Sequence, residues 1–267
     1  MGSSAASVAA GVPRFPVVFV LGVAHCGSTL LGRLLGQHPQ VLCVGELMRM
    51  DEAVAARLPC TCGVPVDDCA FWSARLATLR AETGLDYRRF GVDTYRRLAE
   101  ACGKAVAVDL SKTRIWRRTR WWGDRGEGYI FLVRDSRGVL ASAVREHKGF
   151  DRLLPRHLKW MRRLSRFAAR KGDRALTVYY EDLCRAPEPE LQRVCAFLGL
   201  EFAPALLRPA DGVQHLVHSS ASRYSKTASE IRLDERWRQE LSADQIARIE
   251  AGMRRVPVFR ERLAPPG

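Results

Sequence analysis

The stretch that most constrains the fold is Val17-Val18-Phe19-Val20-Leu21, five apolar residues that stop at Gly22 and give way to Thr29-Leu30-Leu31-Gly32-Arg33-Leu34-Leu35. The first run has the length and β-branched character of a buried strand, and the second carries apolar residues at helical spacing. Between them, Gly22-Val23-Ala24-His25-Cys26-Gly27-Ser28-Thr29 keeps the G-x4-G-x-[ST] spacing of a phosphate-binding loop. A strand that turns into a helix N-terminus offers an anion its backbone N–H groups and about half a positive charge. Ser28 stands where nucleoside-triphosphate loops carry lysine, so the ammonium that reaches the β- and γ-phosphates is missing. The loop therefore suits one phosphate-like group better than ATP or GTP. Tight packing alone is the other use of such a turn.

Further short strands are expected at Val41–Val44, Ala105–Val108, Tyr129–Val133 and Leu176–Tyr180, each followed by helix-like sequence. This alternation predicts an α/β fold, a Rossmann-like parallel sheet flanked by helices on both faces. Ligands bind such sheets outside the carboxyl ends of the strands, so the segments after Leu21, Val44, Val108 and Val133 should converge on one crevice. No linker divides the 267 residues, and a single domain over 14–267 is expected after a Ser-, Ala- and Gly-rich leader, residues 1–13, read as disordered. The segments near 50–80 and 114–125 have the character of insertions that cover the crevice and shape an acceptor pocket, with Trp116, Trp121 and Trp122 offering flat apolar surface. The longest apolar stretch, Val17–Ala24, is far short of a membrane span, and the N-terminus lacks the basic region of a signal peptide.

Arginine supplies 37 of the 43 basic residues and the formal charge is +14, so an anionic ligand or partner is expected. Arg152, Arg156, Lys159, Arg163, Arg166 and Arg170 recur at helical spacing opposite Leu154, Leu158, Met161 and Leu164, which describes an amphipathic helix with a cationic outer face. No aromatic residues interleave its basic side to stack on bases, and no nucleic-acid partner is expected. Of eight cysteines, five fall in apolar segments, which fits a reducing, cytoplasmic setting. Cys60, Cys62 and Cys69 cluster as C-T-C-G-x5-C; three zinc ligands are one reading, but the C-x2-C spacing is absent and no fourth ligand is evident. A stabilised loop without metal is the preferred reading.

A second anion-binding segment runs from Tyr129 through Val133 into Arg134-Asp135-Ser136-Arg137-Gly138 and on to Ser142. Arg134 lies at a strand end, and Ser142, roughly two helical turns on, can help hold an anion gripped by Arg134. Pairing of Arg134 with Asp135 or Glu146, with Ser142 packed on the sheet, is the alternative.

Taken together, these two segments resemble the sulfotransferases that use 3′-phosphoadenosine 5′-phosphosulfate (PAPS), whose product is 3′-phosphoadenosine 5′-phosphate (PAP). Gly22 through Leu35 is similar to their 5′-phosphosulfate loop, with His25, Cys26, Gly27, Ser28, Thr29 and Leu30 as the cofactor-binding residues. Arg134 and Ser142 match their 3′-phosphate site, and Val178-Tyr179-Tyr180-Glu181-Asp182-Leu183 resembles the stretch whose tyrosine, here Tyr180, lies near the adenine. The resemblance covers about residues 16–238 and implies a P-loop-like fold and sulfuryl transfer to a hydroxyl. Many members carry Arg-Ser or Lys-Ser/Ala where this chain has His25-Cys26, so a titratable imidazole replaces a fixed cation. Either a protonated His25 donates to the donor's anionic end or a neutral one bonds to backbone.

Transfer needs a base for the acceptor hydroxyl and a cation for the leaving oxygen. Glu46, directly after the second strand, is the favoured base; as a plain residue it would be a carboxylate at a helix N-terminus. Lys112, in Asp109-Leu110-Ser111-Lys112, is the expected cation and one of only six lysines. Arg223, in the polar segment His215–Arg232, is a further candidate for the 3′-phosphate. The expected function is sulfuryl transfer from PAPS to a hydroxyl of a small molecule, glycan or secondary metabolite. A phosphotransferase with a degenerate loop would instead turn over ATP with magnesium. A basic nucleic-acid-binding protein would show steeply salt-dependent binding.

Overall fold

A computed structural model of the chain describes residues 13–119, 125–146, 149–209, 214–217 and 230–260. Its elements are, in order, β1 (Val17–Leu21), α1 (Ser28–Leu35), β2 (Val41–Gly45), α2 (Met50–Ala55), α3 (Ala70–Thr83), α4 (Val92–Glu100), β3 (Val106–Asp109), α5 (Thr113–Thr119), β4 (Glu127–Val133), α6 (Ser136–Arg145), α7 (Phe150–Lys171), β5 (Ala175–Tyr179), α8 (Tyr180–Arg185), α9 (Pro187–Leu198), α10 (Trp237–Glu240), α11 (Ala243–Met253) and α12 (Pro257–Arg260). The five strands form one sheet in the order β2-β3-β1-β4-β5, and every pairing is parallel. After β1 the chain builds β2 and β3 on one side of it, then crosses to build β4 and β5 on the other. That reversal opens a crevice at the carboxyl end of β1, where open α/β sheets take their ligands.

β1 to β4 are buried along their whole length, as continuous apolar strands under helices on a parallel sheet must be. Helices α1, α4 and α7 pack on strands of the sheet, while α10 and α11 pack on α6. Helix α7 is amphipathic as its spacing predicts, with Leu154, Leu158, Met161 and Leu164 buried and the six basic residues exposed. Strand β4 begins two residues earlier than its apolar run, at Glu127. The Glu127 carboxylate is fully buried there, and Arg174 offsets its charge at 2.9 Å. All eight cysteines are free thiols. Among the described residues, no helix is long and apolar enough to cross a membrane.

Candidate active site

The loop after β1 reaches α1 through two left-handed residues, His25 (φ 65°) and Gly27 (φ 92°). Gly27 is the N-cap of α1, and a Cβ there would collide with the ring of Tyr180, so this turn has room only for glycine. His25 holds the same backbone region with a side chain, a conformation non-glycine residues adopt only where the surroundings impose it. One such constraint is visible: Arg134 Nη1 donates to the His25 carbonyl at 3.0 Å. The His25 Nε2 lies 3.6 Å from Glu146 Oε2. Cys26 is fully buried against Gly22, and burial pushes its thiol pKa up. Ser28 is buried, while Thr29 and Leu30 are half-buried on the first turn of α1.

On one side of this loop the ends of β2 and β3 bring Glu46 and Lys112 together. The Lys112 ammonium makes a short ion pair with Glu46 Oε1 and donates to Ser28 Oγ at 3.4 Å. The cation that the loop lacks at its own lysine position thus arrives from the adjacent strand end. Like His25, Lys112 has a positive φ, 54°. Asp109, fully buried at the end of β3, ties the two turns together. Its carboxylate accepts from the Leu47 N–H at 3.2 Å, the Ser111 N–H at 2.6 Å and the Tyr95 hydroxyl at 3.0 Å. Burial nonetheless raises its pKa to about 6. The Glu46 N–H donates to the Val217 carbonyl at 2.7 Å, and at Gly45 (φ 76°) any Cβ would strike that Val217 backbone.

On the other side, Arg134 leaves β4 with its guanidinium 4.5 Å from the centre of the Tyr180 ring and its Nε 3.0 Å from where a Cβ on Gly138 would sit. Ser142 is four residues beyond Gly138, hence on the same face of α6 one turn along, and is buried. The partner of Arg134 is neither Asp135 nor Glu146 but Asp234, at 3.1 Å. Asp135 instead caps α6 and pairs with Arg137, while Glu181 accepts the Asp135 N–H at 2.9 Å. Tyr180 donates its hydroxyl to the Arg232 carbonyl at 3.1 Å and accepts from the Asp234 N–H at 3.3 Å. The Tyr-Glu-Asp stretch therefore fastens both the Arg134 turn and the segment that crosses it. Asp234 is held well below the usual carboxylate range, first by Arg236 and then by Arg134.

The site is thus a glycine-turned loop flanked by Lys112 and Arg134, and the comparisons with known proteins bear on its class. The Sulfotransferase family model matches residues 16–101 and 128–204, more than half of the chain, and takes in β1, β2, β5 and nearly all of β4. The chain belongs to the sulfotransferase family. A Caenorhabditis briggsae protein with a provisional protein-tyrosine sulfotransferase name is 25% identical over 207 residues, 72% of this chain and 68% of that protein. Among solved structures, the sulfotransferase domain of the curacin biosynthetic pathway superposes with a TM-score of 0.60 at 20% identity, covering 88% of this chain and 95% of that one. The sulfotransferase domain of the Synechococcus PCC 7002 olefin synthase gives 0.57 at 22%, covering 88% and 94%. A mouse sulfotransferase, SULT7A1, crystallised with PAP, gives 0.53 at 11%, covering 92% and 86%. At these identities the structures establish the fold.

Other expectations for this sulfotransferase meet the structure unevenly. Arg223, Trp121 and Trp122 lie outside the described residues. Trp116 is half-buried, edge-on to Trp160 with ring centres 5.3 Å apart. Cys60, Cys62 and Cys69, read as a loop without a fourth donor, are brought together with His215. Two partners escaped the sequence reading, Asp234 and His215. Both come from irregular segments with no periodicity to mark them, and each meets its partners across roughly 100 residues or more.

Proposed function

We propose that this sulfotransferase transfers a sulfuryl group from PAPS to the hydroxyl of a small-molecule, glycan or secondary-metabolite acceptor, with residues 14–267 acting as one domain in the cytoplasm. The observation that carries the reading is the Arg134-to-His25 hydrogen bond of 3.0 Å, which sets the 3′-phosphate candidate directly against the phosphate-type loop. The residues present fit a nucleotide with two anionic ends: Lys112 and the N-terminus of α1 at one, Arg134 and Ser142 at the other. Each cation of this set already faces a carboxylate: Lys112 faces Glu46 and Arg134 faces Asp234, while the His25 ring lies near Glu146. Such pairs keep the cations oriented and exchange one anion for another when a nucleotide enters.

PAPS supplies a sulfuryl group on a phosphate leaving group. Glu46 removes the acceptor hydroxyl's proton, and its side chain stands ready for this because Asp109 and Val217 fix the turn on both flanks. Lys112, shared between Glu46 and Ser28, would offer its ammonium to the negative charge that grows on the leaving oxygen. His25 lends a further donor from the loop when protonated. Arg134, with Ser142 and the flanking Tyr180 ring, selects the 3′-phosphate. The test is incubation with PAPS and a panel of hydroxyl compounds, followed by mass spectrometry. Acceptors gaining the mass of a sulfuryl group together with released PAP are expected. Magnesium-dependent ATP turnover without PAPS turnover would overturn the proposal.

A further inference from the structure

The cluster that the reaction leaves unused is Cys60, Cys62, Cys69 and His215. Their ligating atoms all lie within 4.8 Å of one another. Cys60 Sγ is 3.7 Å and Cys69 Sγ 3.2 Å from His215 Nδ1, and Cys62 Sγ is 3.5 Å from Cys69 Sγ. A disulfide would need sulfurs about 2.05 Å apart. A tetrahedral zinc ion with bonds of about 2.3 Å to sulfur and about 2.0 Å to nitrogen has ligand–ligand edges of about 3.5–3.8 Å. The spacings of 3.2, 3.5 and 3.7 Å lie within about 0.3 Å of such edges, and none in the cluster exceeds 4.8 Å. Three thiolates and an imidazole are also the soft, closed donor set of structural zinc sites.

The surroundings hold these donors in place. Cys60-Thr61-Cys62-Gly63 forms a tight turn in which the Gly63 N–H donates to the Cys60 carbonyl at 2.9 Å and the Cys60 N–H to the Val64 carbonyl at 2.7 Å. Cys69 precedes α3, and Phe71 and Trp72 in the first turn of that helix both reach His215. The Phe71 ring stacks on the imidazole at 4.8 Å with an interplanar angle of 1°, and Trp72 Nε1 donates to the His215 carbonyl at 2.9 Å. Thr61 Oγ1 donates to the Gln214 carbonyl and accepts from the Leu216 N–H, the latter at 2.9 Å. The ring and backbone of His215 are therefore fixed independently of any hydrogen bond to sulfur, as pre-oriented metal ligands are.

We propose that Cys60, Cys62, Cys69 and His215 bind one structural zinc ion that fastens the 214–217 segment to the loop before α3. The segment then reaches the sheet: the Val217 N–H donates to the Val44 carbonyl at 3.0 Å, and the Val217 carbonyl accepts from the Glu46 N–H at 2.7 Å. Zinc is not part of the chemistry proposed above, and its presence or absence leaves that reading separately testable. The experiment is elemental analysis of the full chain purified under reducing conditions without chelator, with X-ray absorption at the zinc edge. One zinc per chain in a shell of three sulfurs and one nitrogen is expected. Cys62→Ser, at a half-exposed position, is expected to lose the zinc. On chelation of the wild-type protein, amide exchange is expected to rise in peptides covering 44–47 and 214–217. A chain that neither carries zinc nor takes it up when it is added, a zinc shell of nitrogen and oxygen alone, a Cys62–Cys69 disulfide, or unchanged exchange after zinc removal would each overturn the proposal.

Discussion

The Glu46–Lys112 and Arg134–Asp234 pairs both set a cation beside a carboxylate at the carboxyl ends of the strands, but they are assembled differently. Glu46 and Lys112 follow neighbouring strands, and Asp109 stitches their two turns by accepting from the Leu47 and Ser111 N–H groups, with the Tyr95 hydroxyl of α4 as a third donor. Arg134 also follows a strand, yet its carboxylate arrives 100 residues later from a segment with no strand or helix, pinned by the Tyr180 hydroxyl and Arg236. One half of the crevice is part of the sheet's own wiring. The other is closed by a strap laid across it afterwards. The base and the cation proposed above need the first kind of precision, whereas a nucleotide that must enter and leave is better served by the second.

Variants in the two halves should therefore fail differently. Glu46→Gln should lower kcat by about 10²–10⁴-fold with PAP affinity nearly intact, since a general base acts in the transition state. Steady-state rates beside PAP calorimetry check it, and an equal loss of PAP binding would place Glu46 in the nucleotide half. Arg134→Ala should weaken PAP binding by about 10–10²-fold, the worth of a charge-assisted hydrogen bond, with a smaller effect on binding of AMP, which has no 3′-phosphate.

The stitched half should also be the more sensitive to stability changes. Asp109→Asn turns an acceptor of three hydrogen bonds into a group whose NH2 faces a donor, and should cost about 1–3 kcal/mol in urea unfolding. A smaller effect concerns pH. His157, buried on α7 and 2.8 Å from Ser136 Oγ at the start of α6, has its pKa lowered to about 4 by burial. Between pH 6.5 and 4 the unfolded chain takes up this proton and the folded chain resists it, so His157 removes up to about 3 kcal/mol of stability as pH falls. Asp109, raised to about 6, works with the opposite sign over about 3.8–6, favouring the folded state toward acid. The wild-type profile over that window should be shallow, and His157→Gln should flatten or reverse its acid limb in pH-dependent urea titrations.

The same contrast explains what could be read from the sequence. β1 to β4, buried on both faces, and the edge strand β5 are all short apolar runs, so all five were legible, and the start of β4 was missed because Glu127 is a charge hidden by Arg174. The crevice positions of Glu46, Lys112 and Arg134 were legible because Glu46 and Arg134 stand directly after strands and Lys112 stands three residues past β3. Asp234 and His215 were not, since their positions depend on long-range closure of irregular segments, for which neither spacing nor periodicity leaves a trace. The thiol cluster was visible as a triplet and acquired its fourth donor only through the fold.

Isothermal titration of the wild-type protein with PAP and with AMP shows whether one nucleotide bridges the loop and Arg134. A PAP affinity at least about tenfold above that for AMP is predicted, the difference being the 3′-phosphate held by Arg134. Equal affinities for the two would contradict it.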